Sequence, residues 1–279
     1  MSHGGGVFVS DKASLTLKDQ AAIKNCSAKK TSDGVTHGGG IFAEGTLTIA
    51  GRAKVGEDCS AAVGSGIYME VGSYFSAPQN LYANGGVIAG EVVLNNSSNY
   101  GATLMIASSD EGVTEFKGSV LNNGGIIEKG NFTGKVTNNG SITGGEFTGT
   151  VINNGSITGG VFNGTVNNNG IIKNADDSTG PNFTGTVINS ESGTIAKGVS
   201  ITELKFVVTF DNEGTKTTET FAKGGNLTAP TTQAKEGYRF DGWYYDNNGS
   251  EAKWNFDTDT VTRAMTLKAK WVQTYTVTV

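Results

Sequence analysis

Four pairs of carboxylates are the groups in this chain best suited to bond cleavage: Glu57-Asp58, Asp110-Glu111, Asp176-Asp177, and Asp257 with Asp259. Two carboxyl groups at the correct separation hydrolyse a glycosidic bond, one as acid and the other as base or nucleophile. Acidic metal ligands beside a basic residue would instead serve elimination chemistry. The only arginines are Arg52, Arg239 and Arg263, and no catalytic basic residue recurs beside any pair. Each pair sits in an apparent turn, where Asp is expected because its side chain hydrogen-bonds nearby backbone. No catalytic residue, metal or cofactor is therefore expected.

The remaining reactive side chains read the same way. His3 and His37 each precede Gly-Gly-Gly and read as exposed turn residues with no nucleophile beside them. Two Cys and two His at these spacings do not make a zinc site. Cys26 and Cys59 occupy corresponding places in the first two long coils, where stacking could bring them within disulfide range. Because a bond between parallel neighbours is geometrically demanding, they read as buried thiols acting as small apolar residues, with a disulfide as the alternative. No helix or Lys-Ser/Thr follows the glycine runs, so they are not phosphate loops.

The elements that carry these residues are repetitive. Copies beginning at Phe116, Phe132, Phe147 and Phe162 follow one another at about fifteen residues, too short a period to fold alone. The anchors Phe147, Val151 and Ile157, separated by Gly and Asn, predict three brief strands per copy. The copies then coil into a three-sided parallel β-helix. Phe147, Val151 and Ile157 share one parity and Phe162 has the other, so the in-out alternation must break once per turn. Gly159-Gly160, matched by Gly144-Gly145, is the expected break because glycine tolerates corner conformations. The pairs Asn122-Asn123, Asn138-Asn139, Asn153-Asn154 and Asn167-Asn168 should stack into amide ladders along the axis. Motifs such as Asn154-Gly155-Ser156 are by-products of this repeat rather than glycosylation sites.

Burying one Phe, one Val and one Ile contributes roughly 1.5–3 kcal/mol each, while ordering fifteen backbones costs roughly 1–2 kcal/mol per residue. A single coil cannot fold, and only the stack can.

Longer coils precede these. HGGGVFVSDKASLTLKDQAAIKNCS from His3 and HGGGIFAEGTLTIAGRAKVGEDCS from His37 are offset by 34 residues, and an imperfect third copy opens at Gly66-Ile67-Tyr68. The pattern over residues 3–75 resembles the Gly-Gly-rich repeats of bacterial surface and autotransporter-like proteins, which implies a right-handed parallel β-helix. Residues 76–115 lack a clean period and are expected to form irregular coils with a loop; 116–200 are the short coils. Parallel β-helices also carry pectin lyases and hydrolases, so a polysaccharide-active enzyme is the alternative function.

Most of the 42 glycines lie before Leu204, while all three tryptophans and half of the aromatic residues follow Lys205. This places a domain boundary there, giving a β-helix over 1–203, a module over 204–273, and the start of a following repeat at 274–279. A net charge of -5 with scattered basic residues argues against nucleic-acid binding, which needs a clustered basic face. No apolar run is long enough to span a membrane. Met1-Ser2-His3 runs directly into a repeat, so no signal peptide is read. The chain reads as a piece of a longer protein.

The C-terminal segment carries Val208-Thr209-Phe210-Asp211, Gly224-Gly225, Pro230, Gly237-Tyr238-Arg239-Phe240-Asp241-Gly242-Trp243-Tyr244, Trp254-Asn255-Phe256-Asp257 and Met265-Thr266-Leu267-Lys268-Ala269-Lys270-Trp271. Over residues 206–271 it resembles the Listeria/Bacteroides repeat, or internalin B-repeat. The resemblance implies a small β-grasp-like module found in tandem on secreted and wall-attached bacterial proteins. Asn212-Glu213-Gly214 stands where that family often has a longer Gly-rich turn, and Tyr275 to Val279 resembles the opening strand of another copy.

The residues themselves predict a strand face from Phe206, Val208 and Phe210, and a small core filled by Phe240, Trp243 and Trp271. Asp257-Thr258-Asp259-Thr260 is a candidate helical turn. Tyr244, Tyr245 and Trp254 flank the polar loop 246–250 and are the candidate sugar-stacking residues.

The expected fold is mainly β, a parallel β-helix followed by a β-grasp-like module. The expected function is a non-catalytic, extracellular, adhesin-like stalk or scaffold at the cell surface or wall. Its expected partners are cell-wall or host glycans, surface proteins and neighbouring repeats of the parent chain.

Overall fold

The computed structural model describes residues 4–29, 34–71, 79–97, 103–108, 112–176 and 180–275, and all of its helical and strand elements are β-strands. Contacts divide the chain into two units, Met1–Thr186 with Thr194–Thr202, and Val187–Gly193 with Glu203–Val279. His3, Pro78, the pair Asp110-Glu111, Asp177 and residues 276–279 lie outside the described residues.

The first unit is a solenoid of parallel coils. Phe116 pairs with Phe132, Phe132 with Phe147, Phe147 with Phe162, and Phe162 with Phe183. Their rings stack at 4.6, 4.7, 4.7 and 4.9 Å between centroids. That distance equals the spacing of hydrogen-bonded strands, so the backbone itself sets the ring stack. Each short coil has three strands, as in Glu146–Phe147, Val151–Asn153 and Ser156–Ile157. The alternation breaks where expected, at Gly145 (φ 96°) and Gly160 (φ 100°).

A second glycine column is needed for a different reason. A Cβ on Gly149 would lie 2.2 Å from the carbonyl oxygen of Gly134, and one on Gly164 would lie 2.3 Å from that of Gly149. The obstacle is backbone in the adjacent coil, held by the ladder on both sides. Gly149→Ala should therefore destabilise the solenoid by about 2–3 kcal/mol, read as a lower urea midpoint.

Both amide rows form, and they differ in kind. Asn122, Asn138, Asn153 and Asn168 are fully buried, and the first three each donate through Nδ2 to the next Oδ1 at 2.7, 2.8 and 2.8 Å. Asn123, Asn139, Asn154 and Asn169 form an exposed row with amide bonds of 2.8, 2.8 and 3.0 Å. The fourth pair is thus Asn168-Asn169 rather than Asn167-Asn168, because Asn167 pairs with Ile152 on an outward position.

The longer coils continue the same rows. Val7 pairs with Ile41, Ile41 with Ile67, Ile67 with Val92, Val92 with Val120, and Val120 with Val136. The copy at Gly66 is confirmed by the pairing of Phe42 with Tyr68. Residues read as irregular instead hold three strands, Gln79–Ile88, Val92–Asn96 and Leu104–Ala107, each paired with neighbouring coils, the first with one register shift between Gly51 and Lys54. Their period is hidden because coil length varies from one coil to the next, while the inward rows continue through the paired strands.

The long coils also carry an outward apolar cluster that the repeat pattern did not reveal. Phe42, Tyr68 and Val93 are buried there, with Val63 and Leu121 against them, and Phe8 stacks on Phe42 at 5.6 Å. His37, expected as an exposed turn residue, is half-buried with its ring 4.5 Å from that of Tyr68. The two cysteines are free and half-buried, not fully buried.

The second unit holds a five-stranded mixed sheet: Ile201–Asn212, Thr215–Ala222, Tyr238–Asn247, Ser250–Lys253 and Met265–Gln273. The second strand pairs antiparallel with the first, the first parallel with the fifth, the fifth antiparallel with the third, and the third antiparallel with the fourth. A parallel pair of first and last strands at the centre is β-grasp-like, with a helix-free crossover over 223–237. Asn212 to Thr215 and Asn247 to Ser250 are two-residue hairpins, with positive φ at Glu213-Gly214 and Asn248-Gly249 matching the preferred turn chemistry. Phe206, Val208 and Phe210 face the core as expected.

Two aromatic assignments change. Trp254 is buried in the core (5% exposed), whereas Trp271 is half-buried, edge-on to Phe240 at 5.2 Å, and donates through Nε1 to Asn212 Oδ1 at 2.9 Å. Strand Met265–Gln273 turns Met265 and Leu267 inward near its start, so Trp271 lies toward the far end, away from that cluster.

Candidate functional site

The third strand of the module sets the candidate surface. Register shifts between Phe240 and Gly242, where Gly242 has φ 139°, and this bulge changes which side chains face inward. Trp243 enters the core with Tyr245 packed against it, while Tyr244 takes the opposite face, as alternation requires.

Tyr244 sits among charges. Its hydroxyl donates to Asp241 Oδ2 at 2.6 Å, Lys270 Nζ lies 4.5 Å from its ring centroid and Lys253 Nζ 5.8 Å. Lys270 also donates to Glu251 at 2.6 Å. The Tyr244 hydrogen bond, followed by Lys253, Arg239 and Lys270, holds the Asp241 carboxyl below its ordinary range, and that same bond raises the Tyr244 phenol. The Glu251 bond raises the Lys270 ammonium. Because Asp241 is depressed in the folded state, its contribution to stability is present above its unfolded pKa and is lost as pH falls through the folded value. Tyr244→Phe removes the leading cause, so the Asp241 titration followed by carboxyl NMR should move up toward the normal carboxylate range.

Tyr245 meets Trp254 edge-on at 5.6 Å, and the Arg263 guanidinium lies 6.0 Å over its ring. Arg263 also donates to the backbone oxygen of Asp246. These residues line a cleft of about 320 Å³ with Thr258 and Met265. Tyr244 and Tyr245 are thus brought to one strand but face opposite ways, each with cations beside its ring. Trp254 lies beneath Tyr245 and packs the core.

The turn after Trp254 begins earlier than expected. Asn255, not Asp257, opens it: its Oδ1 accepts from Asp257 N at 2.9 Å, and its carbonyl accepts from Asp259 N at 2.8 Å. Asp259 Oδ2 in turn accepts from Asn255 N at 2.8 Å. Asp58 occupies a corner with φ 53°. Among the described residues, no group of three or more His, Cys, Asp or Glu could hold a metal ion. No helix of the described residues is long and apolar enough to cross a membrane.

The sheet order, the two hairpins and the Trp243/Trp254 core occupy one continuous segment. Residues 206–270 match the Listeria-Bacteroides repeat domain. A protein of Evansella cellulosilytica provisionally named as a Gly-rich membrane protein is 45% identical over 69 residues, covering 24% of this chain and 8% of that protein. A second from the same organism, provisionally named as a membrane protein, is 43% identical over 75 residues, covering 26% and 11%. The chain spans about a tenth of the length of these curated relatives. Within the repeat, the Gly237–Tyr244 run supplies the bulged strand, and Trp254 to Asp257 supplies a core residue and the Asn255 turn.

Proposed function

We propose that this chain is a non-catalytic segment of a bacterial cell-surface protein, in which a parallel β-helix of the surface-protein kind acts as a stalk and is followed by wall-associated repeats. The observation that carries this reading is the continuity of the inward rows from coil to coil, filled by Phe, Val, Ile and Asn that hold coils together. A solenoid built this way transmits position along its axis and presents long faces to partners. The Listeria-Bacteroides repeat and the names of the two Evansella relatives support a surface location. Contact with cell-wall or host glycans is the further part of the proposal, with Tyr244 and Tyr245 as the aromatic residues reachable from solvent.

Intact cells that produce the protein should lose this segment to added protease while a cytoplasmic marker survives. Recovery of the segment only from the cytoplasm overturns the surface reading. A glycan array probed with the purified chain tests the contact: binding weakened at least about tenfold by Tyr244→Ala supports it, and uniform absence of binding leaves a stalk without glycan recognition.

A further inference from the structure

The two cysteines stand one above the other in the first two coils. Ser27 and Ser60, the next residues along, form a parallel bridge, with Ser60 N donating to Cys26 O at 2.8 Å and Ala28 N to Ser60 O at 3.0 Å. Their hydroxyls meet at 3.1 Å, so the register extends to the side chains. The residues before the cysteines share a corner conformation, with Asn25 at φ 56° and Asp58 at φ 53°. Neighbouring coils are spaced by about 4.8 Å, inside the Cα separation that a disulfide spans.

We propose that Cys26 and Cys59 form an intrachain disulfide that ties the first coil to the second. Within this chain the two tied coils differ in burial. Val7, Leu15, Leu17 and Ile23 are only half-buried, while their partners Ile41, Leu47, Ile49 and Val55 are fully buried. A coil with less buried apolar surface opens more easily than its neighbour.

The chemistry is thiol–disulfide exchange with a small disulfide as oxidant. One cysteine thiolate attacks a sulfur of the oxidant, breaking its S–S bond and releasing one thiolate. The second cysteine then attacks the protein sulfur of the mixed disulfide and expels the other thiolate. The two cysteines lose two protons and two electrons, and the oxidant becomes two thiols. Burial pushes the Cys59 thiol up.

The test takes the whole chain, reduced and then equilibrated with oxidised glutathione. Intact mass should fall by two hydrogens, digestion should yield one peptide linking residues 26 and 59, and amide exchange in Val7–Val9 and Ala22–Lys24 should slow about tenfold or more. Added reductant should reverse all three. Cys26→Ser and Cys59→Ser should each fold, take up a single glutathione at the remaining thiol, and show no slowing. Separate glutathione adducts at both positions of the unmodified chain, dimers through either cysteine, or thiols that persist under conditions oxidising a reference dithiol each overturn the proposal. A bond that forms without slowing exchange overturns the tie.

Discussion

Asn153→Ala should lower solenoid stability by about 3–5 kcal/mol, while Asn154→Ala, one residue along, should cost no more than about 0.5 kcal/mol. Asn153 accepts from Asn138 Nδ2 and donates to Asn168 Oδ1, both at 2.8 Å, with every participant fully buried. Truncation leaves a donor in one coil and an acceptor in another, with no water to replace the lost amide, and each such group costs about 1–3 kcal/mol. Asn154 donates to Asn139 Oδ1 and accepts from Asn169 Nδ2 in the exposed row, where water takes over both. Urea unfolding of the two variants, followed by far-ultraviolet circular dichroism, checks the difference. Equal midpoints would show that the inner row is not what holds the coils together. The inner row also has a direction. Each Nδ2 points toward the following coil, so the first oxygen, Asn122 Oδ1, faces back along the row and is buried without a partner. Its neighbour in the preceding coil is Leu94, which has nothing to donate.

Phe147→Ala should cost a comparable 3–5 kcal/mol, at the upper end of aromatic truncations, about what a fully buried ring loses. Phe147 is completely buried and stacks on Phe132 and Phe162, both at 4.7 Å. Its removal opens a gap bounded above and below by rings whose positions are set by backbone pairing, so collapse is restricted. Phe147→Leu should recover more than half of the loss, since most of the buried area returns while the stack does not. Phe8 offers the contrast: among the described residues it stacks on Phe42, and it is 50% exposed, so Phe8→Ala should cost less than about 1.5 kcal/mol. Hydrogen exchange over residues 132–172 would locate the Phe147 effect.

The repeat from Phe116 was legible because each coil spends the same residue type at the same structural position. Phe, Val and Ile recur on the inward rows, and the glycine at the parity break recurs with them. Strands Gln79–Ile88, Val92–Asn96 and Leu104–Ala107 join the same rows, yet coil length varies there, and sequence spacing counts residues between strands that backbone pairing ignores. The outer cluster of Phe42, Tyr68 and Val93 was hidden for a related reason. Its residues are covered by side chains from other coils, Val63 and Leu121 among them, and nothing in their own spacing announces those neighbours.

In the module, Trp254 and Trp271 exchanged expected roles. A large aromatic near a polar loop looks exposed, and one ending a regular strand looks buried. Trp254 donates its backbone N–H to Trp243 O at 2.8 Å and packs into the Trp243 cluster, while the strand's course carries Trp271 past the inward Met265 and Leu267. The carboxylates of the Asn255–Asp259 turn and of the Asp58 corner were readable as turn-forming groups, since Asp bonds locally wherever the chain reverses. The charge cluster around Tyr244 was not readable: Lys253 and Lys270 reach it from two other strands.

Periodicity and residue type by themselves determined that the chain is mainly β, that short coils must stack, and that a separate aromatic module follows them. Pairing across the stack decided which asparagine of each pair faces inward and which aromatic residues are covered. Those outcomes depend on residues one coil or one strand away, whose distance in space is set by backbone hydrogen bonds between coils and is unrelated to their separation along the chain.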